Sequence, residues 1–97
     1  MTDNETQDNA TRPVMSFSGS GGIHLAIWKN KMENDQEFYS VKLERRYKDE
    51  KDGEYKSTPY LRGGDLLRAQ RLLGDADAWI EQDRQKNRLA NQNAAAR

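Results

Sequence analysis

The stretch GGIHLAIWKN, residues 21–30, decides the fold. Ile23, Leu25 and Ile27 alternate with His24, Ala26 and Trp28, the two-residue period of a β-strand. One face of that strand is aliphatic, and the other carries the chain's only histidine and a tryptophan. Upstream, VMSFS at residues 14–18 puts Met15 and Phe17 on one face of a short strand, and GSGG supplies a flexible turn between the two. The glycine spacing and the absence of a following helix exclude a phosphate-cradling loop.

Downstream, FYSVKLERRY at residues 38–47 alternates Tyr39, Val41 and Leu43 with Phe38, Ser40, Lys42, Glu44 and Arg46, the pattern of a sheet buried on one side. Asp52-Gly53 signals a hairpin turn into a fourth strand over about residues 55–61. Pro59 has no amide to give a ladder, so this strand is either an edge or stops at Thr58. RGGD then marks a change to helix, with Asp65 as N-cap. Leu66, Ala69, Leu73, Ala76 and Ile80 recur at alternating spacings of three and four, with Leu72 and Trp79 on the flank, which predicts an amphipathic helix to about residue 83.

The predicted fold class is therefore α+β: a four-stranded antiparallel meander followed by one C-terminal amphipathic helix packed on one face. The domain spans residues 14–83. Residues 1–13 read as a polar, disordered arm, and residues 84–97 as a frayed or disordered basic tail.

Ninety-seven residues suffice for one small core. An apolar share of 34% against 33% charged residues implies that part of the chain is solvated. Net charge is zero but unevenly spread: Asp3, Glu5 and Asp8 oppose only Arg12 at the start, while Arg84, Lys86, Arg88 and Arg97 have no acid among the last fourteen residues. No cysteine is present, His24 has no ligand-type partner at metal spacing, and no catalytic motif occurs, so neither a metal, a cofactor nor an enzyme is expected. The sequence contains no signal-like or membrane-spanning apolar run, which places the expected location in the cytoplasm.

A single helix can roof only one side of such a sheet. The other side then displays His24, Trp28, Phe38, Lys42 and Arg46, with Lys56 and Tyr60 nearby and Arg45, Lys48 and Arg62 extending the basic track at the strand ends. Aromatic planes interleaved with cations suit single-stranded DNA or RNA, whose bases stack and whose phosphates pair. The same residues also fit a protein-interaction surface, or ordinary cross-strand packing of rings on Lys and Arg stems with Glu44 cancelling charge. On the helix, Leu67, Arg71, Gly74 and Ala78 align away from the main stripe, a small-residue seam suited to a homodimer.

The segments IWKN, FYSVKLERRYKD, DGEY and GDLLRAQRLLGDADAWI, within residues 14–83, resemble a group of small uncharacterised bacterial ββββα domains. Their order is topologically similar to the transcriptional-coactivator and Whirly type of single-stranded-DNA-binding fold. That resemblance implies strand contact through Trp28, Lys42 and Arg46, and association through Leu67 and Gly74. The expectation is a non-enzymatic binding module for single-stranded nucleic acid; the alternative is a homodimeric interaction or structural domain with no nucleic-acid role.

Overall fold

The computed structural model describes residues 12–95, with side chains as far as residue 90. The arm predicted over residues 1–13 lies outside the described residues as far as Thr11, and the last two residues of the predicted tail lie outside them as well. Four strands follow in order: β1 (Met15–Ser18), β2 (Ile23–Lys31), β3 (Glu37–Lys48) and β4 (Tyr55–Thr58), and the chain ends in one helix, α1 (Leu66–Ala95). The strands form one antiparallel sheet in the order β1-β2-β3-β4, the predicted meander. β4 stops at Thr58, the residue before Pro59, as the missing proline amide requires.

β2 and β3 pair without interruption from Ile23↔Arg45 to Lys31↔Glu37. Because cross-strand partners point the same way, Ile23, Leu25, Ile27 and Lys29 share a face with Tyr39, Val41, Leu43 and Arg45. The turn from β1 into β2 is tight enough to need glycine. Gly22 has φ +83°, and a Cβ there would sit 2.1 Å from the carbonyl oxygen of Arg46.

The core lies between this face and α1: Ile23, Leu25 and Ile27 are buried against Ala69, Leu72 and Ala76, with Met15, Phe17, Tyr39, Leu43, Leu61, Trp79 and Ile80 packed around them. The helix runs along β2. Asp65 sits beside Gly21, and Asp83 meets Lys29. Helix and strand therefore run side by side from the glycine turn before β2 into its far half.

The helix is rotated from the predicted stripe. Leu72, placed on the flank, is 5% exposed at the centre of the core, whereas Leu66 (59%) and Leu73 (47%), placed in the stripe, face outward. The buried line is Asp65, Ala69, Leu72 and Ala76, continued by half-buried Trp79, Ile80 and Asp83. Two leucine sectors compete for the sheet, and the one aligned with Asp65 and Asp83 wins, because those carboxylates find cations on the strands: Arg45 at 3.6 Å and Lys29 at 2.9 Å. A second difference follows on the sheet. Val41, predicted beneath the helix, is 42% exposed because α1 lies over β2 and β1 and reaches β3 chiefly at Tyr39.

Two polar clusters lock the helix. Asp65 occupies the predicted cap position, but its carboxylate accepts from the backbone N–H of Arg62 (2.8 Å) and faces Arg45 rather than capping the first helical amides. Arg45 in turn donates to the carbonyl of Tyr60 at 3.4 Å and stacks over the Tyr47 ring. At the far end, Asp83 accepts from Lys29 (2.9 Å) and from the Tyr39 hydroxyl, while Trp79 meets the Tyr39 ring edge-on at 6.4 Å. Beyond Asp83 the helix continues unbroken to Ala95, past the predicted end. Its residues there are mostly good helix formers, so backbone order outlasts the apolar face.

Candidate nucleic-acid interface

The face opposite α1 is built from the even-numbered residues of β2 and β3. Register places His24 beside Ser18 and Glu44, Ala26 between Ser16 and Lys42, Trp28 beside Ser40, and Asn30 beside Phe38. On β4, Ser57 lies beside Arg46 and Tyr55 beside Lys48. No helix among the described residues covers this side.

Of the predicted binding residues, Trp28, Phe38, Lys42, Arg46 and Lys48 share this face. Four others are not brought to it. Arg45 points to the helix side, where Asp65 and Tyr60 occupy it. Lys56 lies opposite Tyr47, on the helix side by register, and its ammonium is held by Asp49 (2.7 Å) and Asp52 (3.1 Å) in the β3–β4 turn. Tyr60 and Arg62 lie in the crossover between β4 and α1, off the sheet. Their misplacement has two causes: Arg45 and Lys56 have the parity of the helix side, and the connecting residues Tyr60 and Arg62 have none.

Tyr55 is the residue that the sequence reading missed. It is strongly exposed and, with Glu44, Arg46, Lys56 and Ser57, lines a shallow concavity at this end of the sheet. Counting parity back from the Asp52-Gly53 turn would have found it. The face thus has Trp28 and Phe38 at one end and Tyr55 at the other, with Lys42, Arg46 and Lys48 at alternate positions of β3 between them. From Phe38 to Lys48 the strand rises about 33 Å.

Glu44 tempers the charge of this track. Its nearly buried carboxylate lies 3.0 Å from Arg46 and 3.5 Å from Lys42. Burial alone would raise its pKa, but the Arg46 hydrogen bond and the Lys42 and Arg46 charges together hold it below the ordinary carboxylate value. Both cations remain more than half exposed and free to turn outward. His24 hydrogen-bonds Ser18 at 3.0 Å, and partial burial followed by repulsion from Arg46 lowers its pKa, so it stays neutral at pH 7 and adds no charge to the track. Trp28 is half-buried, and its indole N–H is a buried donor without a partner.

Of the predicted helix seam of Leu67, Arg71, Gly74 and Ala78, Arg71 lines a concavity with Ser18 and Ser20 at the end of β1, while Leu67 is strongly exposed and open space surrounds Gly74. Among the described residues, no group of three or more His, Cys, Asp or Glu side chains could hold a metal, and no helix is long and apolar enough to cross a membrane. No family model, curated protein or solved structure matches the chain.

Proposed function

We propose that this protein is a non-enzymatic binding module that takes a single strand of nucleic acid along its uncovered sheet face. The carrying observation is the shared parity of Trp28, Phe38, Tyr55, Lys42, Arg46 and Lys48, which aligns stacking surfaces and cations on one side of three adjacent strands. Rings stack on any base, and ammonium and guanidinium groups pair with the phosphates, so this arrangement favours an extended strand with little sequence preference. Pairing with Glu44 lowers the resting charge of the face and with it the affinity, which makes binding weak and sensitive to ionic strength.

Anisotropy titration of a labelled oligonucleotide tests this across a salt series. Neutralising three phosphates through Lys42, Arg46 and Lys48 gives a slope of log K against log salt of about −2. Lys42→Ala/Arg46→Ala reduces that slope to about −0.7, and Trp28→Ala weakens binding without changing it. No binding at low salt, or binding indifferent to these substitutions, refutes the reading.

A further inference from the structure

The two end strands of the sheet are four residues long, and β4 covers only part of β3: its register runs from Arg45↔Thr58 to Lys48↔Tyr55. Beside residues 37–43 of β3 the sheet has no outer neighbour among the described residues. The phase of the ladder says which groups are left over. Met32 N–H donates to Gln36 C=O at the β2–β3 turn, and Asp49 N–H to Glu54 C=O at the next, so even-numbered residues of β3 bond β2 and odd-numbered ones point outward. The backbone N–H and C=O of Glu37, Tyr39, Val41 and Leu43 are therefore open. The usual protections of an edge are missing from this stretch: it holds no proline, the continuous register shows no bulge, and Lys42 points to the sheet face.

We propose that this edge pairs with the same edge of a second copy, joining two four-stranded sheets into one of eight. Residues 37–43 are symmetric about Ser40. Two copies related by a two-fold axis there place Glu37 opposite Leu43 of the partner copy and Tyr39 opposite Val41 of the partner copy. All four open residues of each chain then sit in hydrogen-bonded pairs with two bonds per pair. Neighbouring registers fail. A shift toward β4 drives Glu37 onto Arg45, whose outward groups β4 already holds, and a shift the other way leaves Leu43 unpaired. On the sheet face the chosen register sets Phe38 against Lys42 of the partner copy, and no like charges fall directly opposite.

The helix supplies an independent observation. Arg84 stacks over the Tyr39 ring, so its side of α1 leans toward β3. Leu73 lies three turns before Arg84 and Leu66 two turns before Leu73, on that same side. Leu73 and Val41 are exposed on this side of the molecule. In the paired sheet the two β2 strands lie about 14 Å apart, more than the width of about 10 Å that a helix occupies with its side chains, so the two helices fit side by side without clashing. They run antiparallel, with Asp77 of one within about a turn of Arg84 of the other. The helices thus permit the backbone pairing and set opposite charges on either side of it. This inference stands independently of the nucleic-acid reading.

Sedimentation equilibrium of the full chain over a concentration series tests it. A dimer is expected, and Val41→Pro weakens it by about thirtyfold or more, since each copy loses an intermolecular donor. The fold is retained, because that N–H has no partner among the described residues. Leu67→Glu, on the outward seam of the helix, leaves the dimer unchanged. Hydrogen exchange provides a second readout without substitution: the amides of Tyr39, Val41 and Leu43 become protected as concentration rises. A monomer at every concentration overturns the proposal. So does a dimer that is insensitive to Val41→Pro, that is lost on Leu67→Glu, or whose three amides exchange freely.

Discussion

Replacing Asp83 with alanine removes the clasp that fastens the second half of α1 to the sheet. The carboxylate accepts two hydrogen bonds, one from the Lys29 ammonium at 2.9 Å and one from the Tyr39 hydroxyl. Both ends of the ion pair are about four-fifths buried at the side chain, with exposures of 20% and 21%. Bonds of this kind to a charged group contribute about 1.5–3 kcal/mol, and partial solvent contact pulls a pair toward the low end of its summed value. We expect a loss of about 2 kcal/mol, which for a domain of this size lowers Tm by about 8–16 °C.

The pH dependence of that loss identifies its origin. The Tyr39 hydrogen bond first, and the Lys29 contact second, hold the Asp83 pKa below its ordinary 3.8. Its contribution is therefore complete above about pH 4 and disappears as the pH falls through the lower folded value. Tyr39 is pushed up by burial and by its bond to Asp83. Lys29 is also raised: its burial acts downward, but the Asp83 bond and the surrounding negative charge outweigh it. These two contributions are complete below the ordinary values of 10.0 and 10.5 and are lost as the pH rises through the higher folded values. Melts of wild type and Asp83→Ala, followed by circular dichroism, should differ most between about pH 5 and 9 and converge at both extremes. A difference below about 0.5 kcal/mol at neutral pH, or one that persists unchanged into strong acid, refutes the clasp.

Two further substitutions test the fold. Gly22→Ala combines a positive φ with a backbone clash at the Arg46 carbonyl and should destabilise by at least about 2 kcal/mol in urea titration; a neutral effect would mean that the β1–β2 turn is not as described. Leu72→Ala should cost about 3 kcal/mol and Leu73→Ala less than about 1 kcal/mol in dilute solution. The reverse order, which the original stripe implies, would place the helix in the wrong rotation.

Strand alternation made the sheet legible. Residues 23–27 and 39–43 each fix one face by a period of two, and Pro59 ends β4 through the donor it lacks. The helix was legible in place but not in rotation, since Leu66 and Leu73 compete with Leu72 as apolar candidates and hydropathy cannot rank them. What ranks them is the pairing of Asp65 with Arg45 and of Asp83 with Lys29 and Tyr39, contacts that join residues about five turns apart on one helix to two different strands. No local spacing rule reports such a contact. The same limit applies to the candidate interface: Trp28, Phe38, Lys42, Arg46 and Lys48 share one parity, whereas Lys56, opposite Tyr47, has the other and is held by Asp49 and Asp52 of the hairpin turn.

The uninterrupted strand order has a kinetic meaning. Each strand finds its partner across one short turn, and the longest of these closures joins neighbours in the chain, so little entropy is spent before contacts begin to form. Assembly can proceed as a zipper from the β2–β3 hairpin outward, with the helix settling last onto a surface already made. Such a molecule refolds quickly after dilution from denaturant, without the slow search that sheets joining distant segments must complete.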